Sequence, residues 1–206
     1  MIGVIDYGMG NLYSLGKALE RLGYSYEFVS QPEALDKYEG LILPGVGAFG
    51  DAMRNIRELG LDAAIRGYAN SGRPILGICL GMQLLFSESE EHGSNKGIGL
   101  LEGKVVRFHG DYKIPHMGWN ELQLAQPEHP LLAEVNEGDY VYFVHSYHVK
   151  VKQASDLLAT CDYHQNVTAI VARDNVYGMQ FHPEKSGETG MRLLANFAGR
   201  CEGVLR

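Results

Sequence analysis

Cysteine is scarce in this 206-residue chain: Cys79, Cys161 and Cys201 are widely spaced and form no Cys-x-x-Cys pair. That pattern argues against a disulfide framework or a zinc site and suits a reducing cytoplasm. Basic charge is short as well. Eighteen Lys and Arg stand against 25 Asp and Glu, a formal charge of −7, which argues against nucleic acid or an anionic membrane as partner. No apolar run approaches the roughly 18 residues that suggest a membrane span. The first residues, MIGVIDYGMGN, lack the basic start and cleavage site of a signal peptide and read as a first strand. Repeats, low-complexity tracts and linkers are missing too, so residues 1–206 read as a single domain. What is present is ample apolar material, 45% of the chain, enough for a substantial core at this length.

Strand and helix signals alternate through the first half. Apolar runs at Ile2–Asp6, Tyr26–Val29, Leu41–Leu43 and Ile75–Ile78 read as strands. Leu12, Leu15, Leu19 and Leu22 recur at helical intervals, and Gly23 closes that segment. Further helices are expected at Glu33–Lys37, Phe49–Leu59, Leu61–Asn70 and Met82–Phe86. This rhythm predicts an α/β fold of three layers, an open, mostly parallel sheet flanked by helices. From Ser87 the pattern changes. Ser87–Gly99 is polar and reads as a surface loop. Strands joined by turns are expected at Lys104–Phe108, Asn120–Leu124, Tyr140–His148, Leu157–Cys161, Thr168–Ala172 and Val176–Gln180, an added antiparallel portion. A last helix is expected at Thr189–Cys201. Ligands of such sheets sit beyond the carboxyl ends of the strands, which directs attention to Asp6-Tyr7-Gly8, Pro44–Gly47 and Cys79.

Gly77-Ile78-Cys79-Leu80-Gly81 is a thiol form of the strand-to-helix nucleophile elbow. So sharp a turn leaves no room for side chains at its flanks, hence the two glycines. A cysteine raised there, at a helix start, lies among backbone dipoles that favour a thiolate. The same pentapeptide also fits a buried, inert cysteine between packing glycines. A thiol nucleophile needs a base, and the base needs an orienting group. Of eight histidines, His182 stands out because it follows the apolar run Val176–Phe181 and precedes Pro183-Glu184. Pro183 keeps His182 extended, and residues two apart in an extended chain share a face, so Glu184 can lie beside the ring. Taken alone, His-Pro-Glu also fits a turn with a solvated glutamate. Nucleotide binding is weakly supported, since Gly8-Met9-Gly10-Asn11 lacks the full GxGxxG spacing and Pro44–Gly47 lacks a P-loop lysine.

The elbow at Cys79, with His182 downstream and Glu184 two residues beyond it, resembles the class I glutamine amidotransferases, and the likeness spans nearly the whole chain. The stretches DYGMGN from Asp6, PGVGAF from Pro44, GICLGMQLLF from Gly77 and PHMGWN from Pro115 resemble, more finely, the branch serving imidazole glycerol phosphate synthesis in histidine biosynthesis. The resemblance implies a flavodoxin-like fold and hydrolysis of L-glutamine by a triad of Cys79, His182 and Glu184, without cofactor or metal. It implies an oxyanion hole built from the Leu80 N–H and the Val46–Gly47 region, whose peptide points away at rest and flips on activation. Implied substrate contacts are Gly47, Gln83, Glu91 and His145-Ser146-Tyr147. Gln83 lies one helical turn beyond Cys79 and so returns to the same site. Glu91 ends Ser-Glu-Ser-Glu-Glu, which by itself reads as a solvated charge run. Another cysteine hydrolase on a similar sheet, or a non-enzymatic module on the same fold, would also fit parts of this pattern.

Ammonia needs an acceptor, and a (β/α)₈ synthase takes about 250 residues of its own. The resemblance therefore implies a heterodimer with a separate cyclase subunit of that fold. Its implied contacts are Asn11, His116, Met117, Trp119, Tyr142 and Lys185. Trp119 is the only tryptophan; aromatic anchors are enriched in interfaces, though such a residue equally suits a core.

Overall fold

Four short segments, each buried at every position, form the middle of the main sheet. They are continuous apolar runs because helices cover both faces of a parallel sheet. The computed structural model describes residues 1–203; the last three residues of the expected domain lie outside the described residues. In chain order the strands are β1 (Ile2–Ile5), β2 (Tyr26–Val29), β3 (Gly40–Leu43), β4 (Ile75–Ile78), β5 (Phe86–Ser89), β6 (Asn95–Lys96), β7 (Leu101–Arg107), β8 (His116–Glu121), β9 (Gln123–Leu124), β10 (Tyr140–His145), β11 (Tyr147–Val151), β12 (Leu157–Asp162), β13 (Asn166–Arg173) and β14 (Val176–Met179). The α-helices are α1 (Leu12–Arg21), α2 (Phe49–Glu58), α3 (Leu61–Asn70), α4 (Leu80–Leu84) and α5 (Gly187–Cys201).

The main sheet has the order β2-β1-β3-β4-β14-β13-β12-β9. Its first five strands are parallel, and β13, β12 and β9 continue it antiparallel. Successive side chains of a strand face opposite sides. Val4 accordingly joins one apolar cluster with Leu15 and Leu19 of α1 and Leu194 and Phe197 of α5. Ile5 joins the other with Ala52 and Ile56 of α2 and Leu61 and Ile65 of α3. Two smaller sheets pack against β13 and β12 of the main sheet: β11-β7-β5-β6 and the antiparallel ribbon β10-β8.

From the elbow onward the structure differs from the sequence pattern in four places. The expected loop Ser87–Gly99 contains strands β5 and β6, because the chain from Phe86 pairs in parallel with β7 and buries Ser89. The expected strand Tyr140–His148 is broken at Ser146 into β10 and β11, which belong to different sheets. The stretch expected as Asn120–Leu124 divides likewise: β8 begins at His116 and pairs with β10, while β9 caps the main sheet beside β12. The helix after the elbow starts at Leu80 and ends at Leu84, and Phe86 already opens β5. In each case a pairing between distant segments overrides the local pattern.

Candidate active site

The carboxyl ends of β1, β3, β4 and β14 are neighbours in the sheet, so Tyr7, Pro44–Gly47, Cys79 and the segment after Met179 meet above one edge. The elbow is as tight as the sequence suggests. A Cβ on Gly81 would lie 1.8 Å from the Leu43 carbonyl oxygen, and one on Gly77 would lie 2.6 Å from that of Gly81. Between them Cys79 adopts φ 55°, ψ −115°, a backbone region that costs a non-glycine residue about 1–3 kcal/mol. The Cys79 N–H donates to the Met179 carbonyl at 2.8 Å, tying Cys79 to β14. Burial pushes the Cys161 and Cys201 thiols up to about 12, and neither lines the cavity that Cys79 enters.

His182 faces Cys79 from the end of the neighbouring strand. Its Nδ1–H donates to Glu184 Oε1 at 2.8 Å, and the side chains are only 4% and 3% exposed. A carboxylate only accepts, so this bond fixes the proton on Nδ1 and leaves Nε2 for the sulfur. Burial alone would push the imidazolium down, but hydrogen bonds to Cys79 and Glu184, with their charges, hold it up at about 10. Glu184 Oε2 is buried without a partner, so the carboxylate is committed to His182 through a single oxygen. The segment is braced by β10: His182 N–H donates to Tyr142 O at 3.1 Å, and Tyr142 N–H donates to Ser186 Oγ at 2.9 Å. Ser186 in turn donates to the His182 carbonyl at 2.6 Å.

A cavity of about 480 Å³ opens over the sulfur, lined by Val46, Gly47, Leu80, Gln83, Glu91 and His145-Ser146-Tyr147 together with Cys79 and His182. Glu184 stands behind His182, out of that lining. Glu91 is not part of a solvated run: it is buried, and its Oε2 accepts the Phe49 N–H at 3.1 Å. Phe49 opens α2, and Ala48 before it offers no side-chain cap. The carboxylate thus occupies a helix N-terminus, where the backbone dipole favours negative charge. Leu80 is the first residue of α4, so its N–H has no acceptor within the helix.

Loop 44–47 is clamped at its base and open at its tip. Tyr7 Oη donates to Pro44 O at 2.7 Å, and a Cβ on Gly45 would lie 2.9 Å from Gly81 N. Val46 is 43% exposed, and Gly47 holds φ +105°. Only glycine accepts that angle readily, and an added Cβ would also meet Met9 Cε at 2.8 Å. Gly47→Ala should therefore lower kcat/KM for the reaction that the resemblance implies at this cavity roughly ten- to hundredfold. Steady-state kinetics on a variant with wild-type circular dichroism checks this, and an unchanged rate would detach the Gly47 backbone from turnover.

A model of the glutamine amidotransferase class I family matches residues 3–201. The chain belongs to the class I glutamine amidotransferases. It is 56% identical to the imidazole glycerol phosphate synthase subunit HisH of Halalkalibacterium halodurans, covering 98% of this chain and 97% of that protein. With the subunit HisH of Bacillus subtilis it shares 53% identity, covering 96% and 95%. Among solved structures, a glutamine amidotransferase superposes with TM-score 0.76 at 22% identity, covering 97% of this chain and 98% of that one. PurLQS from Thermotoga maritima also gives 0.76, at 23% identity, covering 96% and 97%. These two likenesses concern the fold.

In this class I glutamine amidotransferase several site residues had no signal in the sequence. Gln180 is fully buried and its Nε2 lies 3.8 Å from Cys79 Sγ. The same side chain accepts at Oε1 from Gln83 Nε2 at 3.1 Å. Arg107, opposite in sign to Glu91, also lines the cavity, as does His92. An apolar strand end gives no hint that Gln180 points at sulfur. The interface set is scattered by the fold. Met117 and Trp119 are 52% and 56% exposed on the ribbon, and Lys185 is exposed. Tyr142 stacks edge-on against Trp119 at 5.9 Å. Asn11 caps α1 by accepting from Ser14 N–H. His116 is 2% exposed and its side chain faces inward, because alternation along β8 puts it on the opposite face from Met117. Among the described residues, no group of three His, Cys, Asp or Glu is placed to hold a metal, and no helix is long and apolar enough to cross a membrane.

Proposed function

We propose that this chain is the glutaminase subunit of an imidazole glycerol phosphate synthase in histidine biosynthesis. On this reading it hydrolyses L-glutamine and delivers the ammonia to a separate cyclase subunit of (β/α)₈-barrel fold, in the cytoplasm. The observation that carries the reading is the His182–Glu184 pair beside Cys79 in a chain more than half identical, end to end, to subunits of that name.

The Cys79 thiolate attacks the glutamine side-chain carbonyl, forming the S–C bond and a tetrahedral oxyanion. The Leu80 N–H and the Val46–Gly47 peptide are the donors for that oxyanion. As the C–N bond breaks, His182 Nε2 gives its proton to the departing ammonia. The neutral imidazole then removes a proton from water, which attacks the thioester and releases glutamate. Glu184 keeps Nδ1–H in place and offsets the imidazolium charge in both steps. Glu91 suits the substrate ammonium, and Arg107 suits its carboxylate.

The ribbon face with Met117, Trp119 and Tyr140, each more than half exposed, suits a partner surface. Trp119→Ala should weaken association with the cyclase about tenfold or more, read by calorimetric titration. Lys185→Ala should reduce ammonia transfer to the cyclase more than glutamine hydrolysis. The central test is glutamine hydrolysis with and without the cyclase and its phosphoribulosyl-formimino substrate. Marked stimulation is expected, and a full rate for the lone chain, unchanged by both, would sink the coupled reading.

A further inference from the structure

Behind the cavity wall the inward face of the ribbon carries a line of polar side chains, half-buried Asn120 followed by His116 and His145 buried among aromatic rings. Asn120 Nδ2 lies 3.3 Å from His116 Nε2, His116 Nδ1 lies 2.9 Å from His145 Nε2, and His145 Nδ1 lies 2.7 Å from the Tyr147 carbonyl oxygen. The protons on this line can be assigned from both ends. At one end, a carbonyl only accepts, so His145 carries its proton on Nδ1. A neutral His145 then accepts at Nε2, which requires Nδ1–H on His116. At the other end, Asn120 Nδ2 donates to Asp162 O at 2.8 Å while its Oδ1 accepts the Glu121 N–H at 2.8 Å. The amide orientation is thereby fixed, so His116 Nε2 faces a donor and must accept. The two ends give the same answer: one neutral pair with Nδ1–H on both rings.

The rings have little freedom to turn. His116 is stacked between Phe143 at 4.6 Å and Tyr163 at 4.0 Å, and Phe108 lies 5.2 Å from His145. Burial pushes His116 down to about 4 and His145 to about 3, in keeping with two uncharged rings. The far end of the line is functional ground. The Tyr147 carbonyl also accepts from Gln83 Nε2 at 3.1 Å, and Gln83 reaches Gln180, which approaches Cys79 Sγ.

We propose that His116 is a positioning residue for glutamine binding: through a single fixed tautomer of His145 it holds the His145-Ser146-Tyr147 turn in its binding geometry. The role rests on the reading of this cavity as the glutamine site. His116 does not touch the substrate; it supplies the one donor that His145 Nε2 has in this line. Removing that donor leaves a buried acceptor unmatched and frees His145 to exchange its proton between nitrogens and release the Tyr147 carbonyl.

The test has two parts. Histidine-labelled full-length protein at pH 7, read by long-range proton–nitrogen correlation, should show both His116 and His145 as Nδ1–H tautomers, whereas free imidazole side chains favour Nε2–H. Either ring found as Nε2–H or doubly protonated overturns the proposal, whatever reaction the site performs. Calorimetric titration with L-glutamine in a Cys79→Ser background then reads the function. His116→Leu should weaken binding about tenfold, whereas His116→Asn, whose amide donor takes the place of Nδ1–H, should stay within about threefold. Equal affinities for the two variants would overturn the positioning role even with the tautomers as assigned. Should His116→Leu fail to fold, wild-type-like binding by His116→Asn with the assigned tautomers supports the role, and a tenfold loss there overturns it.

Discussion

Replacing Cys79 by serine should lower glutamine hydrolysis by on the order of 10⁴- to 10⁶-fold while leaving the fold intact. The backbone at Cys79 is dictated by its neighbours, since Gly77 and Gly81 pass within contact distances that admit no Cβ. Exchanging sulfur for oxygen therefore leaves φ 55° and the tie to Met179 in place, and the melting temperature should move by no more than about 2–4 °C. What changes is chemistry. A serine hydroxyl stays protonated beside His182 and forms no ion pair with it, so the imidazolium loses one of the hydrogen-bonded charges that raise it. Ammonia release measured by a coupled assay checks the loss. Hydrolysis unaffected by the exchange would remove Cys79 from the mechanism altogether.

Glu184→Gln should lower kcat/KM by about 10²–10⁴-fold and move its alkaline limb. In the native protein burial pushes His182 down, and the bonds to Cys79 and Glu184 more than reverse this, to about 10. The ring thus stays protonated through neutral pH, and the limb set by His182 lies near pH 10. A glutamine at 184 can still accept from Nδ1 but brings no charge, so burial regains weight and the limb shifts toward the unperturbed value of about 6.5. Stability follows the same sign. The folded pKa lies above the unfolded one, so the contribution from His182 is fully present below about pH 6.5 and is lost as pH rises through about 10. Denaturant titrations across that window should show a steeper decline for the native chain than for Glu184→Gln. A variant with an unmoved limb and an equal decline would show that Glu184 does not govern the charge of His182.

The parts of the site that were legible in the sequence are those built by local constraint. Gly-x-Cys-x-Gly marks a turn that only glycines permit, and the structure places Leu43 and Gly81 atoms where a flanking Cβ would have to go. His182 and Glu184 lie two apart in an extended segment, so their contact follows from strand geometry as soon as Pro183 holds the chain open. The parallel core was legible for a similar reason: strands covered on both faces are uninterrupted apolar runs, and the helices between them carry a 3.6-residue period.

Contacts made across the chain were not legible. Glu91 looked solvated because its neighbours are charged; it is buried because the N-terminus of α2 needs an acceptor that Ala48 does not supply. The resemblance implied His116 as a partner contact beside Met117 and Trp119, but register with β10 turns it inward onto His145. Tyr140–His148 read as one strand because its apolar pattern continues across Ser146, where pairing partners change from β8 to β7. The amino-acid sequence by itself thus determined the tight turn that presents Cys79 and the contact of His182 with Glu184, because each depends on neighbours along the chain. Only the tertiary structure decided what surrounds them. Gln180 at the sulfur, Glu91 at the cavity wall and the histidine pair behind it depend on which distant strands pair and in what register, information that no local pattern carries.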